Sequence, residues 1–119
     1  MTRWMASAPL RADLAGGTLD LWPLYLLHAR SSTVNVALTL RARATYVPGG
    51  RHWELRAGDH GAQRQVTVSA LSDAADESRD GDLFGLVLRV LSHTGLQRPG
   101  RLTTTVEGPA GGGLGGSSA

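Results

Sequence analysis

The 119-residue chain contains no cysteine and no lysine, a single phenylalanine, and no long uninterrupted apolar run. Without cysteine there can be no disulfide staple, no thiolate nucleophile and no thiolate-ligated metal, which fits a reducing compartment. Without lysine all twelve cationic side chains are arginine. The Walker A phosphate loop, which needs the lysine of G-x-x-x-x-G-K-[ST], is therefore excluded. The longest apolar stretch, LDLWPLYLLHA, is broken by Asp20, Pro23 and His28 and cannot span a bilayer. The N-terminal MTRWMASAPL carries Arg3 but lacks the apolar run of a signal peptide. A cytoplasmic location without a membrane partner is expected. The net charge of +2 is small and the arginines are scattered, so no nucleic-acid partner is expected either.

What is present suits one globular domain or a piece of one. Hydrophobic residues make up 41% of the chain and charged residues 18%, enough for a modest core. Leu10, Ala12 and Leu14 alternate with Arg11 and Asp13 and predict a strand broken by Gly16-Gly17. LWPLYLL predicts a short turn or helix against the core. Residues 33–47 alternate over their whole length and predict a long strand, with Val34, Val36, Leu38, Leu40, Ala42, Ala44 and Tyr46 on one face. HWELRA and QVTVSAL predict a hairpin with Trp53, Leu55, Val66 and Val68 inward. A polar, acidic stretch over 72–82 leads to a helix in DLFGLVLRVLSHTG, where Leu83, Leu86, Val87, Val90 and Leu91 recur at helical spacing and Gly95 follows. GRLTTTVEG predicts a last strand. Two neighbouring hairpin strands, one helix and three other strands make an α+β order.

The remaining question is the end of the chain, GPAGGGLGGSSA. Composition alone allows a flexible tail. Its place after a strand allows a second reading. A glycine-rich loop there can turn successive backbone N–H groups toward phosphate, and the two serine hydroxyls can touch phosphate or Mg²⁺.

Spacing separates the two. PAGGGLGGSSA resembles the P-x-x-x-G-L-G-[SG]-S-[SA]-A motif of the GHMP kinases, the superfamily of galacto-, homoserine, mevalonate and phosphomevalonate kinases. About ninety residues upstream, APLRADLAGGTLDLWPLYLLH resembles the APxRxxxAGGxTD opening of the sugar-kinase branch, particularly heptose-phosphate and fucose kinases. TVNVALTL is similar to the family's VNxAI strand. Leu19 stands where many sugar kinases have Thr or Gly, which bears on the acceptor.

The resemblance implies the family's α+β N-terminal domain, similar to the second domain of ribosomal protein S5. Residues 1–119 would form an incomplete one, ending at the ATP-binding loop over 109–119. It implies an enzyme using ATP and Mg²⁺ that passes the γ-phosphoryl group to a hydroxyl of a sugar or sugar phosphate. Pro109, Gly111, Gly112, Gly113, Leu114, Gly115, Gly116, Ser117 and Ser118 would hold the ATP phosphates, with Ser117 and Ser118 also toward Mg²⁺. Arg11, Gly16, Gly17 and Asp20 would line the acceptor side, and the catalytic carboxylate is expected beyond Ala119. An isolated chain of these residues would then be inactive.

Bland alternatives stay open. Asp20 can cap the turn that follows it instead of holding sugar hydroxyls, and Arg11 can simply pair with a nearby acid. Asp13 reads as a surface or pairing residue. Glu107, just before the glycines, can meet nucleotide or satisfy backbone donors. The four histidines show no metal-ligand spacing. A rival for the whole chain is a non-catalytic kinase-like binding module, or a small α+β domain with a disordered Gly/Ser tail.

Overall fold

The computed structural model describes residues 2–17, 19, 22–28, 30–109 and 111–116. The elements run β1 (Trp4–Ala15), α1 (Leu24–Leu27), β2 (Val34–Pro48), β3 (His52–Ala57), β4 (Ala62–Thr67), α2 (Leu71–Asp76), α3 (Gly85–Thr94) and β5 (Gly100–Val106). The strands hydrogen-bond into one sheet in the order β1-β2-β5-β3-β4. The expected α+β class holds. β3 and β4 form the antiparallel hairpin, with Trp53 opposite Val66, and β3 pairs with β5 in parallel. A parallel neighbour needs a crossover, and β4, α2 and α3 lie in that connection.

Contacts divide the chain into two compact units, one of residues 1–7 with 43–105 and the other of residues 8–42 with 106–119. The first holds the core. Trp53, Leu55 and Val66 of the hairpin pack with Leu71, Ala74 and Ala75 of α2 and with Phe84, Leu88 and Leu91. Trp53 and Leu88 are completely inaccessible, and the Trp53 ring lies 5.7 Å from that of Tyr46. Tyr46 donates its hydroxyl to the Arg98 carbonyl at 2.6 Å.

Helix α2 corrects the reading of 72–82 as merely polar. Its three buried residues sit at i, i+3 and i+4, one narrow helical face, but two are alanines and carry little hydrophobic signal. The strand expected through QVTVSAL accordingly stops at Thr67, whose hydroxyl accepts the Ala70 N–H. Helix α3 is where expected, and its inward face keeps Val87 and Leu91 of the expected stripe but not the other three residues. Phe84, Leu88 and Leu91 are buried, while Leu83, Leu86 and Val90 are about half exposed. A ten-residue helix with five large apolar residues crowded into six consecutive positions has more than one possible apolar stripe, and only packing selects one. Gly95 ends it in the left-handed conformation, as its position suggested.

In the second unit Leu10 is buried to 1% exposure. Leu38 is partly buried, while Leu14, Val34, Val36 and Leu40 are exposed. So are Tyr25, Leu26 and Leu27, and α1 has no buried residue, which corrects the expectation that LWPLYLL packs on the core. No helix among the described residues is long and apolar enough to cross a membrane.

Candidate functional site

Two glycine segments lie in the second unit, and each is fixed by its neighbours. The first follows β1. Gly16 has φ +76°, and a β-carbon there would stand 2.0 Å from the Ser32 carbonyl oxygen. Only glycine supplies both the left-handed conformation and the room. Its carbonyl accepts the Leu19 N–H at 3.0 Å, closing a turn, and the Thr33 hydroxyl at 3.1 Å, tying that turn to the start of β2. At Gly17 a β-carbon would meet the Asp13 carboxylate at 2.9 Å. Asp13 thus lies along the turn and also receives Arg11, Nε to Oδ1 at 3.5 Å. Residues two apart on a strand share a face, which brings these two opposite charges together. Arg11 therefore sits in the pairing arrangement that the sequence left open. Asp20, the other acceptor-side candidate, lies outside the described residues.

The second segment follows β5. Glu107 donates its N–H to the Arg41 carbonyl at 3.0 Å, and its carboxylate Oε2 accepts the Arg41 N–H at 2.8 Å. Of its two possible roles, the structure displays that of satisfying a backbone donor. The chain then passes Leu10 at Gly108, where a β-carbon would lie 2.7 Å from a Leu10 methyl. A turn closes through Gly112 N–H to the Pro109 carbonyl at 3.1 Å. The loop returns to β1 where the Arg11 N–H donates to the Leu114 carbonyl at 3.0 Å.

Between these anchors Gly111, Gly113 and Gly115 have φ of +71°, +67° and +66°, while Gly112 and Leu114 do not have positive φ. Alternation in the sign of φ can turn consecutive N–H groups toward one side, as in the concavities that bind anions. At Gly111 and Gly113 a β-carbon would meet nothing within 4 Å. Space beside those glycines leaves the backbone approachable. Ser117 and Ser118, the candidates for phosphate and Mg²⁺ contacts, lie outside the described residues. Pro109, Gly111 to Gly116, Arg11, Gly16 and Gly17 all fall in the second unit. Leu10 and Arg41, which hold the segments in place, were missed as site-forming residues. Leu10 reads simply as an inward strand residue, and Arg41 contributes through its backbone, which leaves no trace in residue type.

The first unit carries a cluster of one carboxylate and two arginines. Glu54 on β3 receives Arg101 of β5, Nε to Oε2 at 2.9 Å, and Arg56 on its own strand. Hydrogen bonds from the Arg101 and then the Arg56 guanidinium hold the Glu54 carboxyl below the usual carboxylate range. This cluster stitches parallel neighbours together; Glu54 and Arg101 are register partners.

No family model matches the sequence, and no curated protein matches it. Solved structures do. A D-glycero-D-manno-heptose 1-phosphate kinase from Bacteriodes thetaiotaomicron superposes with a TM-score of 0.72 at 27% identity, over 96% of this chain and 37% of that one. The mevalonate kinase of Methanococcus jannaschii superposes with a TM-score of 0.74 at 14% identity, over 98% and 36% respectively, a likeness of fold alone. The chain thus spans little more than a third of these neighbours' length. Its structural neighbours are GHMP-family kinases, and it carries the α+β fold of their N-terminal domain.

Proposed function

We propose that residues 1–119 are part of the N-terminal domain of a GHMP-type small-molecule kinase, and that the loop over 109–119 takes the phosphates of ATP·Mg²⁺. The observation that carries this reading is the loop that follows β5, anchored at both ends and alternating in the sign of φ between Gly111 and Gly115. Such a backbone suits phosphate, because its N–H groups are donors that need no lysine. The residues present therefore fit the group. ATP, when bound, would supply the phosphoryl group, and Mg²⁺ would offset its charge.

This chain's contribution is positioning. Gly111 to Gly116 would orient the phosphates, with Ser117 and Ser118 at the metal side. Gly16 and Gly17 would shape the turn on the acceptor side, packed against Ser32 and Asp13, and Asp20 would accept hydrogen bonds from sugar hydroxyls. The Asp13 pairing holds Arg11 to one side of that turn. Sugar or sugar phosphate is the acceptor class that the AGGTLD segment and the heptose-phosphate kinase neighbour support. A carboxylate to activate the acceptor is assigned to no residue here, so the 119-residue chain alone is expected to turn over no ATP.

The test uses the complete polypeptide with a panel of sugars and sugar phosphates. Asp20→Ala should raise the acceptor KM about ten- to a hundred-fold and leave the ATP KM nearly unchanged, since a lost charge-assisted hydrogen bond costs about 1.5–3 kcal/mol. A drop in melting temperature with both KM values unmoved would make Asp20 a turn cap. Absence of acceptor-dependent ATP turnover across the panel would favour a non-catalytic kinase-like module.

A further inference from the structure

We infer that Glu107 is a positioning residue for the glycine loop, because its side chain replaces its own carbonyl in the ladder to β2 and so sets where the chain leaves the sheet. The inference rests on the loop's phosphate-binding role proposed above and adds a residue to it. In a hydrogen-bonded antiparallel pair two opposed residues exchange both N–H···O=C bonds. Glu107 and Arg41 make one of them in the ordinary way, Glu107 N–H to Arg41 carbonyl at 3.0 Å. The reciprocal donor, Arg41 N–H, goes to the Glu107 carboxylate at 2.8 Å.

Two consequences follow from this swap. The last N–H of β2 in this pair is satisfied without the Glu107 carbonyl, so the backbone after Glu107 can turn out of the sheet at no cost in unpaired donors. The departure point is also fixed, because one residue is held through both its main chain and its side chain. The next residue, Gly108, lies against Leu10, and the loop then reaches Arg11 N–H through Leu114. The Glu107 clasp and the Arg11–Leu114 bond are therefore the two ends of one loop.

Amide exchange measured by NMR on the 119-residue chain tests this, with Glu107→Ala and Glu107→Gln. Glu107→Ala should speed exchange of the Arg41 and Arg11 amides about tenfold each, with the Leu55 and Leu88 amides unchanged as reporters of an intact fold. Glu107→Gln keeps an acceptor oxygen and should restore most of the protection at both. Faster exchange at Arg41 with none at Arg11 would overturn the inference, since the carboxylate would then cap β2 without placing the loop. Faster exchange at all four amides would overturn it as well, by making Glu107 a general stabiliser.

A titration with MgATP alone keeps the underlying reading separate. Binding by the wild type, weakened about tenfold in Glu107→Ala and near normal in Glu107→Gln, would support both. Wild-type chain that binds no MgATP would count against the phosphate loop, while the exchange pattern still decides the positioning.

Discussion

The two units of the molecule are held by different forces. In the first, ten buried apolar residues around Trp53 and Leu88 form the core cluster. In the second, Leu10 is the one buried apolar residue among those described, and order comes from backbone hydrogen bonds and from chain passing close beside glycine. A core tolerates changes that keep volume and apolarity. A segment built on glycine and main-chain bonds tolerates no added atoms where the chain passes close, as at Gly16 and Gly108, yet has little burial to lose. Stability should reside mainly in the first unit and ligand chemistry in the second.

The largest effect that can sharpen this contrast is Trp53→Ala. Removing a side chain with no exposed surface should cost about 3–5 kcal/mol and lower Tm by more than about 10 °C. A denaturation midpoint within error of wild type would erase the distinction between the units. Next is Gly16→Ala. Its methyl would collide with the Ser32 carbonyl and force a left-handed alanine, so a loss of about 1–3 kcal/mol is expected, measured by the same denaturation. Gly113→Ala is smaller still in stability, about 1 kcal/mol, because φ is +67° but the space is open. If the loop takes phosphate, this variant should weaken MgATP binding out of proportion to that loss, and an equal response from both would break the comparison.

Glu54→Gln gives the smallest effect, present near neutrality and gone in acid. The arginines depress the Glu54 carboxyl in the folded state, so its contribution is present above its unfolded pKa and disappears as pH falls through the lowered folded value. The variant should lie slightly below wild type near neutrality and converge with it as pH falls, flattening the acid limb; the difference is small because both arginine partners are exposed.

Legibility in the sequence follows the same division. The hairpin was readable because Trp53, Leu55 and Val66 alternate strictly and all three are buried. The period of β2 was readable as a strand, yet Val34, Val36 and Leu40 of its apolar face are exposed while Tyr46 at the other end packs on the core, because alternation reports a pleat and not what covers it. α2 escaped because two alanines make a weak stripe. In α3 the element was legible and the inward face only in part, through Val87 and Leu91, because apolar residues also lie outside it. Glycine positions in the loop were found through a motif. The Glu107–Arg41 exchange could not be, since a carboxylate standing in for a carbonyl has no residue pattern of its own.

The parallel pairing of β3 with β5 also sets an order of assembly. In the hairpin Ala57 meets Ala62, five residues away, whereas Glu54 meets Arg101 across forty-seven. Closing the longer span takes about three further doublings of loop length, roughly 2 kcal/mol of extra entropy to overcome before any contact rewards it. Hairpin and helices can therefore form early and β5 joins late. The glycine loop hangs directly from β5, so the segment proposed to meet nucleotide acquires its shape only after the rest of the fold has closed.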